Sequence, residues 1–122
     1  MNVNKIIERH LKAFLDIVVL AILNGGAMHG YKIIAAIHEE FGILLSPGSL
    51  YPLLHCLEDD KLTESTLDRG KVVYHVTPAG RKRFGKVFAS YNFSIQKLSH
   101  FVKAHEEFSP QHIQEAEETF SS

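Results

Sequence analysis

The sequence predicts one mainly helical domain with a single small β-hairpin, and three observations carry that prediction. Apolar residues recur at three- and four-residue steps over most of the chain, the period of helices buried on one face. Between residues 62 and 76 this period gives way to β-branched and aromatic residues with partial alternation, the pattern of short strands. Pairs of a hydroxyl residue and proline, at Ser46-Pro47, Thr77-Pro78 and Ser109-Pro110, then mark fresh helix starts. Proline suits the first helical residue because its missing N–H would be unpaired there anyway. A chain of 122 residues can bury one stable core and has little room for a second.

The first helix is predicted from about Asn4 to Leu23, with Ile7, Leu11, Phe14, Leu15, Val18 and Ile22 in phase. Asn24-Gly25-Gly26 ends it, since glycine tolerates a left-handed cap. A second helix follows from Gly30 to Phe41, with Tyr31, Ile34, Ala35, Ile37 and Phe41 as its apolar stripe and Gly42 as its stop. The third runs from Ser46-Pro47 to about Asp60 and turns Leu50, Leu53, Leu54 and Leu57 inward. Strands are expected over 62–67 and 72–76, joined by the turn Asp68-Arg69-Gly70-Lys71. A long helix then extends to about His105, and a short acidic one from Ser109-Pro110 to about Phe120.

Three helices, a hairpin and a long helix form the order of a winged helix-turn-helix followed by a dimerisation arm. The predicted division is 1–77 for the winged part with its first helix, and 78–122 for the dimerisation helix and acidic tail.

Composition narrows the function classes. The net charge is −1, but its distribution matters more than its sum. All thirteen Lys and Arg lie between Lys5 and Lys103, and the five acids Glu106, Glu107, Glu115, Glu117 and Glu118 follow with no base. Without that tail, thirteen bases stand against nine acids, a modestly basic body of +4. No run of about 18 uncharged apolar residues is present, so a spanning helix is not expected. Glu8, Arg9 and His10 interrupt the start, which argues against a signal peptide. One cysteine, Cys56, excludes an internal disulfide framework and fits a reducing cytoplasm.

Several strings resemble the PadR family of transcriptional regulators. They are Met28-His29-Gly30-Tyr31 at a helix start, Leu45-Ser46-Pro47-Gly48-Ser49-Leu50-Tyr51-Pro52-Leu53-Leu54 with Leu57-Glu58, and Tyr74-His75-Val76-Thr77-Pro78-Ala79-Gly80 at the close of the hairpin. The resemblance covers roughly residues 11 to 103. It implies a cytoplasmic homodimer, usually a repressor, on a pseudo-palindromic operator in double-stranded DNA. It also implies that a small aromatic molecule is a candidate effector. The family often has glycine where Lys61 stands, and wings richer in arginine than this one.

The expected DNA contacts follow from residue type. Ser46, Gly48 and Ser49 offer hydroxyls, amides and a positive helix end to a phosphate. Tyr51 and His55, four apart, share a face. Tyr51 reaches a phosphate or base edge, or packs on the second helix. Lys61 ends the third helix. Arg69, Gly70 and Lys71 form the wing tip, suited to phosphate or the minor groove. His29, Tyr31 and Lys32 are candidates for the flanking backbone, with Tyr31 a core residue in the alternative. Arg81, Lys82, Arg83 and Lys86 are either part of the DNA field or a solvated face.

Phe84, Phe88, Tyr91, Ile95, Leu98, Val102 and His105 follow heptad spacing. Such a helix outruns a small winged core, so it predicts a two-fold dimer with Leu11, Phe14 and Leu15 of the first helix contributing. Phe14, Phe88 and Tyr91, with Phe101, either line an apolar effector pocket there or fill it. No metal site is expected from the eight histidines, which lack partners at ligand spacing. Cys56 is expected in the core. No cofactor-binding or catalytic motif is seen, so no enzyme activity is expected. The competing readings are a winged helix used for protein–protein contact, and a small-molecule sensor with weak DNA binding.

Overall fold

The computed structural model describes residues 2–105 and 114–118. Its elements are α1 (Val3–Ala13), α2 (Leu15–Asn24), β1 (Met28–His29), α3 (Gly30–Phe41), α4 (Pro47–Asp59), β2 (Thr63–Asp68), β3 (Lys71–Val76) and α5 (Pro78–His105). This is the mainly helical winged helix-turn-helix with a long last helix that the sequence predicts. The short acidic helix expected from Ser109 to Phe120 falls mostly outside the described residues. Within it, 114–118 are helical and exposed.

Two elements differ from expectation. The first helix is broken at Phe14, whose φ of −108° and ψ of 18° leave helical geometry. Phe14, at the cap position of α2, makes no side-chain cap hydrogen bond; within the first turn the Ile17 N–H is taken by Asp16 Oδ1 at 2.8 Å. The break is one residue long, and the apolar positions on either side stay in phase, so periodicity does not register it. The second difference is an added strand. β1 pairs antiparallel with β3 (Met28 opposite Tyr74, His29 opposite Val73), giving a three-stranded sheet in the order β1-β3-β2. A two-residue strand has no alternation for a sequence to show.

The core gathers Leu11 and Leu15, then Val19, Leu20 and Leu23 of α2, Ile33, Ile34 and Ile37 of α3, Leu50, Leu54 and Leu57 of α4, and Tyr74 and Val76 of β3. Leu45, in the turn between α3 and α4, pins that turn to the same core. Three residues expected on inward faces are exposed: Tyr31, Ala35 and Cys56. Tyr31 is 71% exposed, because the first turn of α3 projects beyond the core and Ile33 takes the inward position. Leu53 is half-buried and packs against the core. Cys56 is exposed and not a core thiol, since Leu54 and Leu57 face inward and the residue between them points away.

The start of α5 is fixed tightly. Thr77 Oγ1 accepts from the Gly80 N–H at 3.0 Å and donates to the Lys61 carbonyl at 2.7 Å. A Cβ at Gly80 would run into the Leu62 carbonyl, so glycine is required for this approach. Among the described residues, no helix is long and apolar enough to cross a membrane.

Candidate nucleic-acid interface

The helix-turn-helix is built from two capped helices. His29 caps α3, its Nδ1 accepting from the Lys32 N–H at 3.3 Å. Gly42 closes α3 with a φ of 70°, in the left-handed region, and bonds back to the His38 carbonyl. Four residues later Ser46 caps α4. Its Oγ accepts from the Ser49 N–H at 3.2 Å and lies 3.1 Å from Ser49 Oγ. Pro47 is the first residue of the helix. Ser46, Pro47, Gly48 and Ser49 are all exposed. The front of α4 is therefore a narrow end of small polar groups with no bulky side chain to hold a ligand off.

The wing is the β2–β3 hairpin. Asp68 pairs with Lys71, leaving Arg69 and Gly70 as a two-residue loop with φ values of 52° and 79°. Two positive φ values in succession match a type I′ turn, whose twist suits a hairpin. Arg69, Gly70 and Lys71 are exposed at its tip. Behind them His75 Nε2 and Glu64 Oε2 form a cross-strand pair at 3.4 Å.

α3, α4 and the wing converge on one cleft of about 360 Å³ lined by His29, Gly30, Tyr31, Tyr51, Lys71, Val72 and Tyr74. Four of the residues singled out in the sequence, His29, Tyr31, Tyr51 and Lys71, thus meet in one place. Pairing of β1 with β3 brings His29 there. Tyr51 is half-buried and not on an open flank, with its hydroxyl seated over Gly30, where a Cβ would collide with it. Tyr74 is buried beneath, and burial first, then the neighbouring Tyr51 and Glu58, push its phenol above the ordinary value of 10.0. Lys32 is exposed on the next turn of α3, and His55 on the outer side of α4. Lys61 is exposed after α4, with a left-handed φ of 61°. That conformation accounts for a glycine preference at its position.

Sequence reasoning missed the apolar surface of this face. Leu67 and Val72, cross-strand partners near the wing tip, are 76% and 45% exposed, and Leu44 in the turn before α4 is 76% exposed. For Leu67 and Val72 the signal is position: the tip of a thin hairpin has nothing behind it to cover them.

The residues expected at a dimer contact divide into three groups. Leu11 and Leu15 are buried in this chain's own core and have no surface left for a partner. Phe14 and Tyr91 are half-buried against each other, ring centroids 4.7 Å apart, and Tyr91 Oη donates to Asp16. Phe84 and Val102 are also half-buried, whereas Phe88, Ile95 and Leu98 are half or more exposed. The three aromatics expected to line one effector pocket do not do so within this chain. Phe14 lines a hollow of about 230 Å³ with Ile7, His10, Leu11, Val18 and Phe41, in which neither Phe88 nor Tyr91 takes part. Among the described residues, no group of three His, Cys, Asp or Glu is placed to hold a metal ion.

Known proteins resemble this arrangement. An uncharacterized 37.1 kDa protein in transposon TN4556 of Streptomyces fradiae is 42% identical over 68 residues, 55% of this chain; the match spans only 20% of that protein's length. A transcriptional regulator from Clostridium thermocellum superposes with a TM-score of 0.71 at 20% identity, covering 77% of this chain and 98% of its own. The winged-helix DNA-binding protein F93 from STIV gives a TM-score of 0.57 at 26% identity, over 66% of this chain and 88% of its own. Residues 19–86, from α2 through the first turns of α5, match the transcriptional regulator PadR-like family, and the chain belongs to that family.

Proposed function

We propose that this chain is a sequence-specific DNA-binding repressor, acting in the cytoplasm as a homodimer on a pseudo-palindromic operator. One observation carries the reading: His29 and Tyr31 at the start of α3, Tyr51 of α4 and Lys71 of the wing line one cleft, and the first turn of that α4 helix is exposed and free of bulky side chains. A helix end free of bulk enters a major groove closely, with its N–H groups turned to phosphate. His55, Lys61, Arg69 and Lys32 surround it as further phosphate or base contacts. Residues 1–77 form the reading part, and 78–122 the dimerisation part. A small aromatic effector bound at the joint of Phe14, Phe88 and Tyr91 with a second copy releases the DNA. Family membership supports the regulator reading, and no step of it calls for catalysis.

Selection of duplexes from a random library tests this directly. A recovered palindrome with half-sites about 34 Å apart supports it. Recovery of no preferred sequence at low salt rejects it. The exposed pair Leu67 and Val72 favours a second reading, in which the wing docks on another protein. In that case Arg69→Ala with Lys71→Ala leaves DNA affinity unchanged.

A further inference from the structure

We propose that the outward face of α5, centred on Lys82, Arg83 and Lys86, is a second DNA-contacting surface that takes the phosphate backbone of duplex flanking the recognised site. The inference rests on the reading of the chain as a DNA-binding regulator. It begins with where the charge lies. Residues 1–77, which hold the helix-turn-helix and the wing, carry seven Lys and Arg against nine Asp and Glu, a net of −2. α5 carries six Lys and Arg and no acid. A duplex is a dense polyanion, and the sequence-independent share of its binding comes from cations that neutralise phosphates and release counterions. The part that reads sequence is poor in that resource, and α5 is rich in it.

Placement supports the same conclusion. Lys82 and Lys86 are four apart, and Arg83 and Lys86 three, so they share one side of the helix. All three are exposed, as is Arg81. The ion pairs among the described residues join Lys12 to Glu8 and His75 to Glu64, so no described carboxylate is spent on these cations. Further along the same side Lys97 lies over the Phe93 ring, 5.8 Å from its centroid, again without an acid. The apolar stripe of Phe88, Ile95 and Leu98 is about half a turn away round the helix. A second copy of the chain covering that stripe therefore leaves the basic face open.

The face also continues from the wing. α5 begins two residues after β3 ends, and six residues of strand place its first turn roughly 20 Å behind the wing tip. A duplex lying against the tip reaches these cations only where it runs on past the recognised site. The contact is thus expected with flanking DNA and not with the bases read by α4.

The test uses the full chain and two duplexes carrying the same selected site. One ends at the site's edges, and the other adds about one helical turn of arbitrary sequence on each side. Binding is followed by fluorescence anisotropy across a salt series for wild type, for Lys82→Glu/Arg83→Glu/Lys86→Glu, for Lys82→Gln/Lys86→Gln, and for the charge-keeping Lys82→Arg/Lys86→Arg, with circular dichroism checking helix content. The expected result is that wild type binds the longer duplex about tenfold or more tighter, with a salt slope steeper by about 2–3, one unit for roughly each phosphate met. The Glu variant loses that gain, the Gln variant loses part of it, and the Arg variant keeps it. All four bind the short duplex alike. Absence of a flank gain in wild type, retention of it in the Glu variant, or equal losses on both duplexes would overturn the proposal. Normal binding to the short duplex in those cases leaves the regulator reading standing. Failure of wild type to prefer either duplex over random DNA removes both.

Discussion

Lys61 holds a left-handed backbone, and only glycine adopts that region without a steric penalty. Its carbonyl is tied to Thr77 and its N–H to the Glu58 carbonyl, so the conformation is imposed by its surroundings. Lys61→Gly should therefore raise stability, by about 0.5–1 kcal/mol after the extra freedom of glycine in the unfolded chain is counted. A higher midpoint in urea at unchanged slope is the expected observation. Gly30 presents the opposite case. Alanine there meets the Tyr51 hydroxyl and ring, so Gly30→Ala should destabilise by about 1–3 kcal/mol, and Tyr51→Ala in the same chain should relieve part of the loss. Additive losses in the double variant would show that the two do not oppose each other. Tyr91 adds a pH dependence. Burial first, then its hydrogen bond to Asp16, raises its phenol above 10.0. The neutral form is the one favoured in the folded state, so this contribution is whole below pH 10 and is lost as pH rises through the raised value. Tyr74 shifts in the same direction and adds to the loss. Unfolding followed between pH 9 and 11 should show stability falling, and Tyr91→Phe should flatten part of that fall.

At the scale of elements, legibility followed length and period. The wing and α5 were plain in the sequence, because a change of period and a Thr-Pro start are local signals. The Phe14 break and β1 were not, because their causes are distant. Asp16, in the first turn of the restarted helix, accepts from the Ile17 N–H while Tyr91, 75 positions away, donates to its carboxylate, and β1 exists through β3. The candidate site is legible in the same uneven way. Turn and cap chemistry places Ser46 and Gly48 at an exposed helix start and Arg69 and Lys71 at an exposed hairpin tip, as the structure has them. Between the two readings of Tyr51 the structure favours packing on the second helix, its hydroxyl over Gly30, whereas Cys56, expected in the core, is exposed because it lies between the inward residues Leu54 and Leu57. α5 itself carries a conflict. Its first turn has no acid, and Arg81 stands there at the positive end of the helix dipole. That arrangement is unfavourable by about 0.3–1 kcal/mol. Arg81→Glu should then raise the melting temperature by a few degrees. An unchanged or lower melting temperature would mean that Arg81 carries no such penalty.

For the whole molecule, the decisive quantity is how much of α5 the rest of the chain covers. At 28 residues the helix is about 42 Å long, yet Gly80 is the single residue on it that is buried. Beyond Tyr91 the exposed apolar residues Ile95, Leu98 and Phe101 follow one another, each half or more open to solvent. A soluble monomer seldom leaves so long an apolar strip uncovered. Ile95 and Leu98 lie on the heptad side with Phe88, and a second copy related by a two-fold axis offers the same strip in return. Because both residues lack contacts with the chain's own core, changing them tests association without emptying that core. Ile95→Glu/Leu98→Glu should sediment as a monomer at micromolar concentration, where the wild-type chain is expected to sediment as a dimer, with helix content nearly kept. On a palindrome the same variant should bind each half-site independently, and its affinity should fall by about 10²-fold or more, because the second contact no longer gains from the first. A variant that stays dimeric would place the contact elsewhere. A monomer that binds the palindrome as tightly as wild type would remove the need for two copies on the DNA.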